Sequence, residues 1–201
     1  MLWARTRDLC SDFGLRFVML QNENSVGGEL DKDHELASAY LDTMLVFDFV
    51  DLFGPTQYAF SAREELAGWK RADSASRSFF DSLFWVISAH NPYSIKVSDE
   101  ENIRANEELL RDLMNFNFQL QPVSCRAVDG SWSEESFAVT KLGKTLAEVT
   151  ETLMALGGKY KQNSIFQISN SRLKVIPVLN RKILGETDCY FYSNDKETSS
   201  W

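Results

Sequence analysis

The chain has 201 residues, of which 44% are hydrophobic and 25% charged, and a formal net charge of −8. That length supports one domain with a full core. A surface this acidic repels phosphate backbones and anionic lipid head groups, which argues against general nucleic-acid or membrane binding. The three cysteines, Cys10, Cys125 and Cys189, are few, odd in number and widely spaced. That pattern argues against a disulfide framework and a zinc site and fits a reducing cytoplasm. No P-loop, GxGxxG, HExxH or CxxC is present, so no cofactor and no metal are expected.

Residues 1–20 predict a helix with Leu9, Phe13, Phe17 and Leu20 on one face. Arg5, Arg7, Asp8, Asp12 and Arg16 interrupt its apolar residues, so it does not read as a signal peptide. The turn-rich stretch 21–28 reads as a linker. Residues 29–41 suggest a short helix carrying His34 and Tyr40. Met44 to Val50 alternates, with Leu45, Phe47 and Phe49 on one face, and predicts a strand. It lies in the most apolar window, which holds Asp48 and Asp51 and falls well short of the ~20 apolar residues that span a bilayer. Gly54-Pro55 reads as a turn into a second strand, Thr56 to Phe60, giving a hairpin. Ser61 to Glu64 has the form of a capping box for a helix through about Lys70. The Ser-rich piece 73–78 reads as a loop.

Leu83 to Ala89 is apolar without alternation, as expected of a central strand covered on both faces. It stops at Asn91-Pro92. Ser98 to Glu101 is a second capping box, opening a helix to about Met114 with Leu109, Leu110, Leu113 and Met114 facing the core. A strand follows within 118–128, then the hairpin-type turn Asp129-Gly130 and a returning strand, Glu135 to Thr140. Thr145 to Glu148 is a third capping box. Its helix carries Leu146, Val149, Leu153 and Leu156 and is expected to end at Gly157-Gly158. Ser164 to Ser169 reads as a strand, Asn170-Ser171 as a turn, and Arg172 to Leu179 as a last strand that Pro177 assigns to an edge. The implied division is an arm and linker over 1–28, one domain over 29–179 and a tail over 180–201. The expected class is α+β: a mixed or antiparallel sheet with helices on one face, with a ferredoxin-like βαββαβ core over 83–169 and an added N-terminal hairpin.

Polar residues gather at element ends. Asn91 follows the central strand, and Asn102 and Asn106 share one helical face near a positive helix end. Carboxamides there suit base edges, ribose hydroxyls or amides of a ligand. They equally suit an Asx-turn or a loop cap. Past the tight turn, alternation places Glu134 and Ser136 on one face and Glu135 and Phe137 on the other. Glu134 is a candidate general base, its pKa raised if it is partly buried, with Ser136 as its catalytic companion. Trp132 is placed to stack on a planar ligand, or to plug a core end. Cys125 or Ser136 can be drawn with His90 as a nucleophile–base pair, but no third orienting group is visible.

These residues resemble the bacterial family of uncharacterised proteins DUF3293. Its pattern is matched by Ala39-Tyr40 with Thr43, by Ser88-Ala89-His90-Asn91-Pro92, and by Ser98 with Asn102. It continues in Gly130, Trp132, Glu134, Glu135, Ser136 and Phe137, and in Gln162 with Ile165-Phe166. The resemblance spans about 37–179. It departs at His90, where the family has Trp, and in a longer loop from Gly157 to Gln162. It adds Gln162 to the candidate ligand-binding set of Asn91, Asn102, Asn106 and Trp132, and it implies no activity. The expected function is a cytosolic domain that binds, with or without processing, a small nucleotide-like polar ligand at a strand-end cleft. The alternative is a non-enzymatic interaction module whose polar motifs serve structure, meeting a protein partner or a second copy of itself.

Overall fold

The computed structural model describes residues 38–51, 54–72, 83–140, 143–169, 171–179 and 185–195. The expected helix over 1–20, the linker, His34, the loop at 73–78 and both chain ends lie outside them. The order is β1 (Thr43–Asp51), β2 (Gly54–Ser61), β3 (Lys70–Arg71), β4 (Phe84–Ile87), α1 (Asp99–Asn115), β5 (Gln119–Ala127), β6 (Ser133–Thr140), α2 (Leu146–Lys159), β7 (Ser164–Ser169), β8 (Arg172–Pro177), β9 (Gly185–Asp188) and β10 (Tyr190–Asp195). A helical turn at 38–41 leads into β1. The protein is α+β. The ten strands among the described residues form one sheet in the order β3-β10-β2-β1-β5-β6-β4-β7-β8-β9, and all their pairings are antiparallel.

The sheet is strongly curled. β9 sits at one end of the strand order and β10 next to the other, yet only Cys189 separates them in sequence. The two ends of the sheet must therefore come together. Inside the curl, Leu45, Phe47, Phe60, Phe84, Val86, Val123, Cys125, Ala138, Phe166, Ile168, Leu173, Val175 and Phe191 form one core. Phe47 and Phe60 of the N-terminal hairpin meet Phe84 of β4 edge-on, at 5.8 and 5.6 Å between ring centres. β5 and β6 separate those strands in the sheet, so only curling brings the rings together.

The opposite face of β4 carries Trp85 and Ile87 into a second core with Leu109 and Leu113 of α1, Val149, Leu153 and Leu156 of α2, and Val139 and Ile165. Both helices thus pack on one outer face. Each begins with the expected capping box, at Ser98–Glu101 and at Thr145–Glu148. In α1 the buried stripe is Asn102, Asn106, Leu109 and Leu113, while Met114, expected in the core, is exposed. Leu146 of α2 is likewise exposed.

Several local expectations give way to tertiary context. Gly54 and Pro55 belong to β2, opposite Asp51 and Val50, rather than to the turn. Val46 is buried as deeply as its neighbours, because a third core with Met44, Ala59, Leu66 and Tyr192 covers the outer face there. The capping box at Ser61 opens no helix. Ser61 Oγ accepts from Arg63 N–H at 3.2 Å, a tighter turn. The Tyr192 hydroxyl takes the Arg63 carbonyl that a helix would need, and Asp42 accepts two guanidinium bonds at 2.7 and 2.8 Å. Gly157 does not end α2. It lies where an added Cβ would stand 3.1 Å from Val178, so it permits close helix–strand packing. The helix runs to Lys159 with Tyr160 as its C-cap, and Lys161 takes the left-handed conformation. β8 is neither last nor an edge, since β9 pairs with Arg172 to Val175 and Pro177 falls beyond that ladder. Residues 185–195, expected in a tail, supply two strands of the sheet. Phe191 occupies the inner core, so Phe191→Ala is expected to cost roughly 3–5 kcal/mol, as for other buried Phe truncations, in a urea titration. A loss below about 1 kcal/mol would show that β10 is only loosely attached.

Candidate functional site

Register brings the C-terminal end of β4 beside the N-terminal ends of β6 and β7. The sequence candidates gather at this end of the sheet, in two groups with different surroundings.

The first group is made of amides on the helix side. Asn106 Oδ1 accepts from Ala89 N–H at 3.2 Å, and its Nδ2 donates to Glu135 O at 3.0 Å. It thereby bridges β4 and β6 just past the last ladder pair. Asn102 Oδ1 accepts from Asn91 N–H at 2.8 Å, and its Nδ2 donates to Asn91 Oδ1 at 3.2 Å. Asn91 Oδ1 also accepts from Val97 N–H at 3.3 Å. Gln162 Nε2 donates to the carbonyls of His90 and Tyr160 at 2.9 and 3.1 Å. These amides hold the segment that follows β4. That segment needs holding, because Asn91, Tyr93 and Ser94 all have φ near +50° to +60°, a conformation unfavourable for residues other than glycine.

The second group faces the inside of the curl. Glu134 and Ser136 alternate with inward Ala138 and lie opposite inward Cys125 and Val123. Ser136 and Ser164 have buried hydroxyls that make no well-formed hydrogen bond among the described residues; Ser136 neighbours the Cys125 thiol and Ser164 the Tyr40 phenol. Tyr40, on the helical turn before β1, packs edge-on against Phe166 at 5.8 Å. Its hydroxyl lies 3.2 Å from Ser94 Oγ, which Asn163 Nδ2 reaches at 2.9 Å. The amide-held segment therefore delivers Ser94 to the inward group. Ala127 N–H donates to Trp132 O at 3.0 Å, extending the β5–β6 ladder by one step. Alternation then puts Trp132, 36% exposed, at the rim on the Glu134 face.

Burial dominates the electrostatics. It pushes the Glu134 carboxyl up to about 7. Glu134 nonetheless retains some contact with solvent. Burial, with the Glu134 charge adding to it, raises the Tyr40 phenol and the Cys125 thiol above their ordinary values. Cys125 is thus held as a neutral thiol, which removes it as a thiolate nucleophile. Burial lowers His90, keeping it neutral, and its Nδ1 has no partner among the described residues. Tyr40, Ser94 and Ser164 were not among the sequence candidates. Tyr40 had a signal, since it sits in the Ala39-Tyr40 pair of the family resemblance; Ser164 had none.

Residues 87–165 match the family described as protein of unknown function (DUF3293). That match supports the family that the sequence resembles, over a narrower range than about 37–179. The segment runs from the end of β4 into β7 and contains both polar groups except Tyr40. No curated protein and no solved structure matches the chain. Among the described residues, no helix is long and apolar enough to cross a membrane.

Asn106→Ala leaves two backbone groups at the β4–β6 junction without their partner. It is expected to cost about 2–6 kcal/mol by urea titration, since each unsatisfied group costs about 1–3. The Glu134 term has the opposite sign. Its pKa is raised on folding, so the folded state keeps a proton that the unfolded state releases between pH 4.5 and about 7. The stability cost of the buried charge grows through that window, to on the order of 3 kcal/mol at most. Glu134→Gln should melt higher than the wild type near pH 8, and the gap should close near pH 4. A gap independent of pH would contradict the raised pKa.

Proposed function

We propose that the inward polar group is the binding site for a small, nucleotide-like polar ligand, with which Glu134 exchanges a proton. One observation carries this reading. A desolvated carboxylate, still touched by solvent, stands on the inner face with Ser136, while Ser136 and Ser164 keep buried hydroxyls that make no well-formed hydrogen bond among the described residues and neighbour only the Cys125 thiol and the Tyr40 phenol. Unpaired buried polar groups are costly, and a ligand that pairs them would recover that cost. A carboxyl that titrates near 7 suits general acid–base work at neutral pH. In this reading Tyr40 donates a hydrogen bond, Ser136 and Ser164 orient the ligand, and Trp132 stacks on it at the rim. Asn91, Asn102, Asn106 and Gln162 act as positioning residues, because their hydrogen bonds already go to the protein.

We further read residues 83–169 as a ferredoxin-like split βαβ unit built into the larger sheet. The strand order β5-β6-β4-β7, with both helices on one face, supports it.

The amide network favours a second reading, in which the motifs serve structure alone and the domain is a non-enzymatic interaction module. A thermal-shift screen of small polar metabolites near pH 7 separates the two. Ligands that raise the melting point of the wild type should lose that effect in Glu134→Gln. They should be weakened by Trp132→Ala, which itself should cost well under the 3–5 kcal/mol of a buried aromatic. Stabilisation that is the same in all three proteins, or none at all, would leave the interaction module as the better account.

A further inference from the structure

Resting on that ligand-site reading, we infer that the part of the ligand entering to face Glu134 is a cationic nitrogen, an ammonium, amidinium or guanidinium, and that any phosphate it carries stays away from Glu134. The first reason is charge left unbalanced. The ion pairs among the described residues join Arg63 to Asp42, Lys159 to Asp112, and Arg172 to Glu186 and Asp188. None reaches Glu134, and among the described residues no side chain donates to its carboxylate. Desolvation alone governs it. Carboxylates taken out of water are stable as ions only with a cation or several donors beside them.

The surroundings make the same selection. Tyr40 and Cys125 both feel the Glu134 charge, and Cys125 feels that of Glu135 as well. Once ionised, Glu134 therefore makes its surroundings negative, and among the described residues no arginine or lysine is ion-paired with it to offset an entering phosphate. Ser136 and Ser164 offer hydroxyl oxygens that can accept from N–H groups. Tyr40, close enough to feel the Glu134 charge, packs edge-on against Phe166, and aromatic faces attract cations. The net charge of −8 favours the approach of a cation to the whole molecule.

The test uses the full chain with agmatine as the cationic probe, and AMP and inorganic phosphate as anionic probes, at matched ionic strength near pH 8. Agmatine should raise the melting point of the wild type and not that of Glu134→Gln. In the wild type, carboxyl-carbon NMR should show the Glu134 pKa falling by about one unit or more when agmatine is present, as an adjacent opposite charge requires. The NMR arm decides alone if Glu134→Gln does not fold. An agmatine effect equal in both proteins, or an unmoved Glu134 pKa, overturns the cation assignment. A larger Glu134-dependent response to AMP or phosphate overturns it too, while leaving the ligand-site reading in place. No Glu134-dependent response to any of the three overturns both.

Discussion

The link through Cys189 is the constraint on which the rest of the structure depends. One residue cannot span a flat ten-stranded sheet, so the strands on either side of it force the sheet to curl. The Cys189 N–H donates to Ser171 O at 2.8 Å, so the chain keeps its pairing with the β8 hairpin through the crossing. Curling gives the sheet an inside. Phe47, Phe60, Phe84, Phe166 and Phe191 fill it, and their buried area is the main return for the conformational entropy lost. It also leaves an end, where the apolar filling gives way to Tyr40, Ser164, Glu134 and Ser136.

The two faces of β4 and β6 divide the work at that end. Outside, α1 presents amides in place of the leucines found further along its buried stripe. These amides close the ladder where β4 and β6 part and hold three left-handed residues, each disfavoured by on the order of 1 kcal/mol. Inside, Glu134, Ser136 and Ser164 make no well-formed side-chain hydrogen bond among the described residues. The first set consumes its hydrogen-bonding capacity in building the second. The carboxamides most suggestive of ligand binding in the sequence are therefore the scaffold of the end, and the carboxylate beside them holds the unspent capacity.

The same division explains the pattern of charge. Glu134 and Glu135 are neighbours in sequence and point to opposite faces. Only Glu134 enters the desolvated interior, where its pKa rises to about 7. Helix-terminal carboxylates such as Glu101 and Glu148 go the other way, held below the ordinary range by backbone and side-chain bonds from their N-cap residues.

The sequence by itself determined the elements whose signals are local. Two capping boxes, the 3.6-residue stripes of α1 and α2, the hairpin at Asp129-Gly130 and the unbroken apolar run of β4 are each a property of a few adjacent residues. The alternation that sets Glu134 and Ser136 on one face was legible for the same reason. Tertiary structure alone decided what depends on distant partners. It overrode the Ser61 capping signal through Asp42 and Tyr192, ran α2 through Gly157 against Val178, and drew residues 185–195 into the sheet. It also decided which face of β6 became the interior, and so which glutamate was desolvated. Periodicity says which side chains share a face. Only the closing of the sheet says which face is taken out of water.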